Sequence, residues 1–199
     1  MCDIIKENLL ILKEHPMTER EKMTAGLAFR TGDPELMRNK SDARTLAEEY
    51  NRSPENQPEK RYEILKKLFG ECGEKIMIKP PFHCDYGYNI FLGENFFANF
   101  DCVFLDAAPI RIGKNCMIGP KTCIYAVGHP LEPDERAKGI GLPEEVVIGD
   151  NCWIGGGVTI LPGVTLGDNV VVGAASVVTK SFPSNVVIAG NPAKVIREL

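Results

Sequence analysis

The chain has 199 residues, 25% of them charged and 44% hydrophobic, enough for one core with a small attached element. A net charge of −4 argues against a nucleic-acid partner, and no apolar run approaches the ~20 residues of a membrane span. Seven cysteines, an odd number without a CxxC pair, give neither a disulfide framework nor a metal site, and suit a reducing cytoplasm.

Residues 1–16 read as an extension. Asp3 and Glu7 interrupt its apolar stretch and no basic start precedes it, so it is not a signal peptide. Ile4, Ile5, Leu9 and Leu12 predict a short amphipathic helix over Asp3–Glu14, ended by Pro16. Residues 17–70 read as helical. Thr18 and Glu21 form a capping box. Asp33-Pro34 reads as an N-cap with proline in the first turn, and Leu36, Ala43, Leu46, Ala47 and Tyr50 give that helix one apolar face. After a break at Ser53–Pro58, Ile64, Leu65, Leu68 and Phe69 form a further stripe closed by Gly70. This segment is too small to be an independent enzyme.

Residues 71–199 read as β. The pattern starts irregularly at Ile76, through Pro80-Pro81 and Asp85-Tyr86-Gly87-Tyr88-Asn89, and then steps in sixes at Leu92, Ala98 and Phe104. Two extra residues near Ala108-Pro109 shift the frame to Ile112, Ile118 and Ile124. The clearest stretch, 146–181, runs VVIGDN, CWIGGG, VTILPG, VTLGDN, VVVGAA, SVVTKS. Its third place is always aliphatic (Ile148, Ile154, Ile160, Leu166, Val172, Val178) and its fourth usually Gly. A period of six is neither helical nor a plain alternation; it marks a strand and turn repeated as parallel β-coils. No coil buries its apolar face alone, so coils stack, and the helical segment is placed to cover the open end. The Gly, Asp-Asn and Lys-Asn positions are expected at corners that need positive φ. Cys116 and Cys152 hold the small first place of the repeat and are expected inside.

The period stops over 125–145, rich in Gly and Pro, and is lost again in the tail, 182–199. A loop thrown from one corner of a repeat protein is usually functional. It carries His129 between Gly128 and Pro130, whereas His15 lies in the extension and His83 before the Asp85 turn. On the residues alone, His129 as a base and His129 as a solvated loop residue are both open. So are Asp85 as a ligand or as a cap of its own turn, Asn99 as a ligand or a turn residue, and Trp153 as a ligand wall or subunit packing.

The six-residue steps, Gly128-His129-Pro130 and the ending Gly190-Asn191-Pro192-Ala193-Lys194-Val195-Ile196-Arg197 resemble the hexapeptide-repeat acyltransferases. Within them, the leader from Met17, the DYGYN turn at 85–89 and Asn95-Phe96-Phe97-Ala98-Asn99-Phe100 are similar to the maltose and galactoside O-acetyltransferases, from Met17 almost to the end. The resemblance implies a left-handed parallel β-helix, normally a homotrimer, with acetyl-CoA bound between subunits. The left hand runs against the usual crossover preference and is not readable from the repeat.

The resemblance also implies roles. Acetyl transfer to a hydroxyl needs a base, and an imidazole suits neutral pH. His129 matches the family's base, and Asn99 the residue that holds acceptor and oxyanion. Asp85, Asp33 and Asp106 fall on the acceptor side. Where galactoside enzymes show paired acidic residues this chain reads Asp106-Ala107, which counts against a galactoside, and the DYGYN form at 85–89 fits a glucose- or maltose-like acceptor better. Gly156, Ala174, Thr179, Lys180, Lys194 and Arg197 match the coenzyme side, the small residues for the pantetheine arm and the cations for phosphates. Trp153 is a candidate wall for either ligand. The expectation is an acetyl-CoA-dependent sugar O-acetyltransferase working by direct attack, without acyl-enzyme or metal. Its rivals are an acyltransferase for a xenobiotic or amino sugar, and a non-catalytic trimeric scaffold.

Overall fold

The computed structural model describes residues 16–199; the helix expected over Asp3–Glu14 lies outside them. Helix α1 (Glu19–Thr24) begins with the expected capping box: Thr18 Oγ1 accepts from the Glu21 N–H at 3.1 Å, and the Glu21 carboxylate accepts from the Thr18 N–H at 2.8 Å. Strand β1 (Phe29–Arg30) follows, then α2 (Pro34–Arg52), which Asp33 caps by accepting from the Glu35 and Leu36 N–H groups. Helix α3 (Pro58–Leu68) buries Arg61, Ile64, Leu65 and Leu68. The Arg61 guanidinium, without a carboxylate partner among the described residues, donates to the Ser53 and Ile78 carbonyls at 2.8 and 3.1 Å and stacks 4.1 Å over the Tyr50 ring.

Five coils follow. The first is β2 (Glu71–Cys72), β3 (Ile76–Ile78) and β4 (Phe82–Cys84), and the second β5 (Ile90–Leu92), β6 (Phe96–Ala98) and β7 (Cys102–Leu105). The third is β8 (Ile110–Ile112), β9 (Met117–Ile118) and β10 (Cys123–Tyr125). A loop carries β11 (Val127–Gly128), α4 (Pro133–Arg136) and β12 (Ile140–Pro143). Coil four is β13 (Val146–Ile148), β14 (Trp153–Ile154) and β15 (Thr159–Ile160), and coil five β16 (Thr165–Leu166), β17 (Val171–Val172) and β18 (Val177–Val178). The chain closes on β19 (Val186–Gly190) and β20 (Ala193–Glu198), an antiparallel pair.

Equivalent strands stack in parallel into three faces: β2-β5-β8-β13-β16, β3-β6-β9-β14-β17-β19-β20 and β4-β7-β10-β15-β18. The third places of the repeat face inward, Ile148 through Val178 being at most 1% exposed. Each such side chain contributes about 1.5–3 kcal/mol. Cys116 and Cys152 are inside as expected. Ala43, Ala47, Tyr50, Leu65 and Leu68 of the helices join the coil core at its first-coil end, where Phe69, Phe82 and Phe104 stack edge to face.

The structure corrects the expectation for the corners. The fourth-place glycines Gly149, Gly155, Gly167 and Gly173 do not have positive φ; that conformation falls to Asn95, Asn115, Asn151, Asn169 and Asn185, at φ 57–62°, and among the glycines of the repeat to Gly157 and Gly163. The fourth-place glycines serve close approach instead: a Cβ on Gly155 would sit 2.6 Å from the Ala174 nitrogen in the next coil. The five asparagines form a ladder, each Nδ2 donating to the next Oδ1 at 2.8–3.2 Å. The start at Ile76 is also corrected. Cys72, Ile78 and Cys84 already form a regular coil, disguised by an eight-residue step from Cys84 to Leu92.

All three lengthened corners join the third face to the first: 85–89, 106–109 and 126–145. This insertion edge carries Asp85, Asp106 and His129. Strand β1, absent from the sequence expectation of a purely helical leader, pairs antiparallel with β12, and β12 pairs with β11. A second cluster, Met23, Phe29, Leu36, Tyr86 and Ala107, thus ties the leader to the insertion edge.

Candidate active site

His129 follows β11 and is exposed. Its Nδ1 lies 2.8 Å from the Ile140 carbonyl oxygen on β12. A carbonyl only accepts, so Nδ1 carries the proton and Nε2 presents its lone pair. That orienting acceptor had no sequence signal. The hairpin behind it is braced from the leader: Thr31 donates through both N–H and Oγ1 to the Gly139 carbonyl, at 2.9 and 3.0 Å. Phe29 packs so closely on Gly141 that a Cβ there would lie 2.6 Å from its ring.

Asp85, on the same edge, does not cap its own turn. Its carboxylate faces α2, 3.2 Å from Lys40 Nζ and 3.5 Å from the Arg44 guanidinium. These two cations sit one helical turn apart, and nothing in the sequence said which turn they would meet. Asp106 is fully buried, so in this chain it is not an open ligand contact as expected; its Oδ1 accepts from the Asp85 and Tyr86 N–H groups, both at 2.9 Å. Burial raises its pKa to about 6, against the lowering effect of those N–H groups. Asp33 spends one oxygen on the α2 cap and lies three residues beyond β1.

Asn99 lies on a different edge, between the second and third faces. Its Oδ1 accepts from the Phe100 N–H at 2.8 Å, leaving Nδ2 as the donor without a hydrogen bond among the described residues. A groove of about 550 Å³ runs beside it, lined by Phe97, Asn99, Met117, Trp153, Gly156 and Ala174 among others. Three expected ligand residues besides Asn99 therefore meet here. Gly156 packs closely on Pro120, a Cβ there lying 3.1 Å from its ring. In-register pairing continues the row from Met117 through Trp153, Val171 and Val187 to Arg197, with Lys194 opposite Ala189 on the same hairpin. Thr179 and Lys180 follow β18 on the insertion edge, away from Gly156 and Ala174. One chain thus divides the expected residues between two regions, the insertion edge with His129 and the edge and second face with Asn99.

Residues 22–73 match the maltose acetyltransferase hexapeptide capping motif, 145–180 the bacterial transferase hexapeptide of six repeats, and 109–132 the hexapeptide repeat of succinyl-transferase. A putative acetyltransferase of Dictyostelium discoideum is 56% identical over 183 residues, covering 92% of this chain and 95% of that protein. The crystal structure of a maltose O-acetyltransferase from Clostridium difficile 630 superposes with a TM-score of 0.91 at 48% identity, over 93% of this chain and 99% of the other. A galactoside acetyltransferase in complex with coenzyme A gives a TM-score of 0.87 at 41% identity, over 92% and 91% of the two chains. With repeats, capping helices and near-complete coverage in agreement, the chain belongs to the hexapeptide-repeat sugar O-acetyltransferases of the maltose and galactoside family, whose coils form a left-handed β-helix.

Proposed function

We propose that the protein transfers the acetyl group of acetyl-CoA to a hydroxyl of a glucose- or maltose-like sugar, with His129 as general base. The observation that carries this reading is the 2.8 Å hydrogen bond from His129 Nδ1 to the Ile140 carbonyl, which leaves Nε2 to take a proton. The sugar hydroxyl attacks the thioester carbonyl carbon as Nε2 removes its proton. The tetrahedral oxyanion is stabilised by the Asn99 Nδ2–H, and its collapse breaks the C–S bond, the imidazolium returning the proton to the departing thiolate. No acyl-enzyme forms, because none of the cysteines lies beside His129 in the sequence and Cys84, Cys102, Cys116 and Cys152 are buried.

The groove beside Asn99 takes the pantetheine arm against Gly156 and Ala174, with Trp153 as its wall and Lys194 and Arg197 toward the phosphates. Its small residues and the coenzyme A carried by the similar galactoside acetyltransferase support this reading. Asp85 and Asp33 receive sugar hydroxyls; Asp106-Ala107 in place of two acidic residues counts against a galactoside, and the DYGYN turn at 85–89 fits a glucose- or maltose-like acceptor. Since Asn99 and His129 stand on different edges, the site closes between copies, His129, Thr179 and Lys180 of one facing Asn99 of the next in a homotrimer. The apolar second face, with Met77, Met117 and Trp153 each more than half exposed, fits such burial.

The test is free-thiol release from acetyl-CoA with glucose, maltose, a β-galactoside, glucosamine and chloramphenicol as acceptors. Release on glucose or maltose, falling by about 10²–10⁴ in His129→Ala while coenzyme binding persists, is the expected result. Release only on glucosamine or chloramphenicol would overturn the acceptor assignment, and no coenzyme binding at all would leave a scaffold.

A further inference from the structure

A buried carboxylate stands behind the acceptor-side turn and touches no open surface. Asp106 is 0% exposed. Its Oδ1 accepts two backbone N–H groups, from Asp85 and Tyr86, each at 2.9 Å, while its Oδ2 is buried without a hydrogen-bond partner among the described residues. From the other side of the same turn, Asn89 Nδ2 donates to the carbonyls of Asp106 and Ala107 at 2.8 and 3.1 Å. The two corners are therefore locked reciprocally, side chain to backbone in both directions. The lock extends one coil further: the Ala126 N–H donates to the Leu105 carbonyl at 3.0 Å and the Ala108 N–H to the Ala126 carbonyl at 3.3 Å. Ala126 is the residue from which β11 and His129 continue.

Such a carboxylate is an odd choice for a purely structural place. Burial raises its pKa to about 6, so near neutral pH its charged form is held against the preference of its surroundings. The groups around it offer little relief. Backbone N–H groups favour the charge, the neighbouring Asp85 carboxylate opposes it, and the cations Lys40 and Arg44 are engaged with Asp85 instead. A charged acceptor does form stronger bonds to N–H groups than a neutral one. Those bonds fix the backbone of Asp85, whose side chain is presented between Lys40 and Arg44.

We infer that Asp106 is a positioning residue for the acceptor site: its buried carboxylate holds the 85–89 turn, and so the Asp85 side chain, in register with the strand that leads to His129. It acts through Asp85 and touches neither acceptor nor coenzyme. The inference rests on the reading of Asp85 as an acceptor contact, and its test separates the two.

The series is wild type, Asp106→Asn and Asp106→Ala, in the full chain. Asparagine keeps a neutral acceptor at Oδ1; alanine removes it. Two quantities are read: the acceptor KM beside the acetyl-CoA KM, and amide hydrogen exchange at residues 85 and 86. The expected result is a graded one. The acceptor KM rises a few-fold in Asp106→Asn and about tenfold or more in Asp106→Ala, with the acetyl-CoA KM within twofold, and exchange at 85 and 86 accelerates in the same order. If Asp106→Ala does not fold, Asp106→Asn carries the test alone. Unchanged exchange at 85 and 86 in the folded variants overturns the latch, whatever the enzyme acts on. Faster exchange with an unchanged acceptor KM, or both KM values rising together, leaves the latch structural and overturns its positioning role. If the wild type acetylates no sugar, the function reading fails and the exchange arm still decides the latch.

Discussion

His129 owes its proposed chemistry to a hydrogen bond with the far arm of its own loop, and Asp106 its proposed role to a place no solvent reaches. The two side chains illustrate opposite uses of environment. The Ile140 carbonyl selects one imidazole tautomer at the surface. At Asp106, the low-dielectric interior works against the ionised carboxyl, with a pKa of about 6 against an ordinary value near 3.9. Its sign is clear. Between these values the folded protein holds more protons than the unfolded chain, so this group favours folding fully below about pH 4 and loses that contribution as pH rises to about 6. The cost above that range is roughly 3 kcal/mol. Urea unfolding of wild type and Asp106→Asn from pH 4 to 8 checks it: the stability of wild type relative to the variant falls across pH 4–6 and is flat above pH 7. A flat difference throughout would contradict the buried-charge account. Of the candidate site, the sequence offered the residues His129, Asn99 and Asp85 but misplaced Asp106, which is buried. Their surroundings were not legible, because Lys40, Arg44 and the Ile140 carbonyl reach their partners through tertiary packing that no local pattern encodes.

At the level of elements, the repeat was legible wherever the step was six. It failed to reveal the first coil, since an eight-residue corner breaks the frame between Cys84 and Leu92 although both point inward. Strand β1 was equally hidden: two residues paired to a hairpin more than 100 positions away leave no period to read. The corner chemistry was half right, asparagine, Gly157 and Gly163 taking the left-handed place and the fourth-place glycines the contact between coils. Gly155→Ala should therefore destabilise by about 2 kcal/mol or more, its Cβ meeting backbone and not a movable side chain. Denaturant unfolding measures this, and a neutral effect would show that the coils can part. Phe29 tests the brace of the loop that carries His129. Phe29→Ala is expected to speed amide exchange in β11 and β12 and to lower turnover about tenfold or more, with exchange in the coil strands unchanged. Normal turnover with a loosened hairpin would mean that the leader does not position His129.

At the scale of the whole molecule, the prism divides labour among its edges and faces. The insertion edge holds His129, Asp85 and Asp106; the edge between the second and third faces holds Asn99 and the groove; the second face is apolar. In one chain His129 and the groove stand on different edges, which is why assembly belongs to the proposed mechanism. Trp153→Glu, in the middle of that face, should give a folded single chain near 21.9 kDa by sedimentation, while the wild type sediments at about three times that mass. The most direct test of the shared site is complementation. His129→Ala and Asn99→Ala chains, each inactive alone, are co-expressed and the mixed assemblies assayed for acceptor-dependent thiol release. If His129 of one copy works with Asn99 of the next, random mixing leaves about a quarter of the sites intact, and activity returns to about a quarter of wild type. Mixed assemblies as inactive as either parent would place both residues in one chain's site and contradict the account.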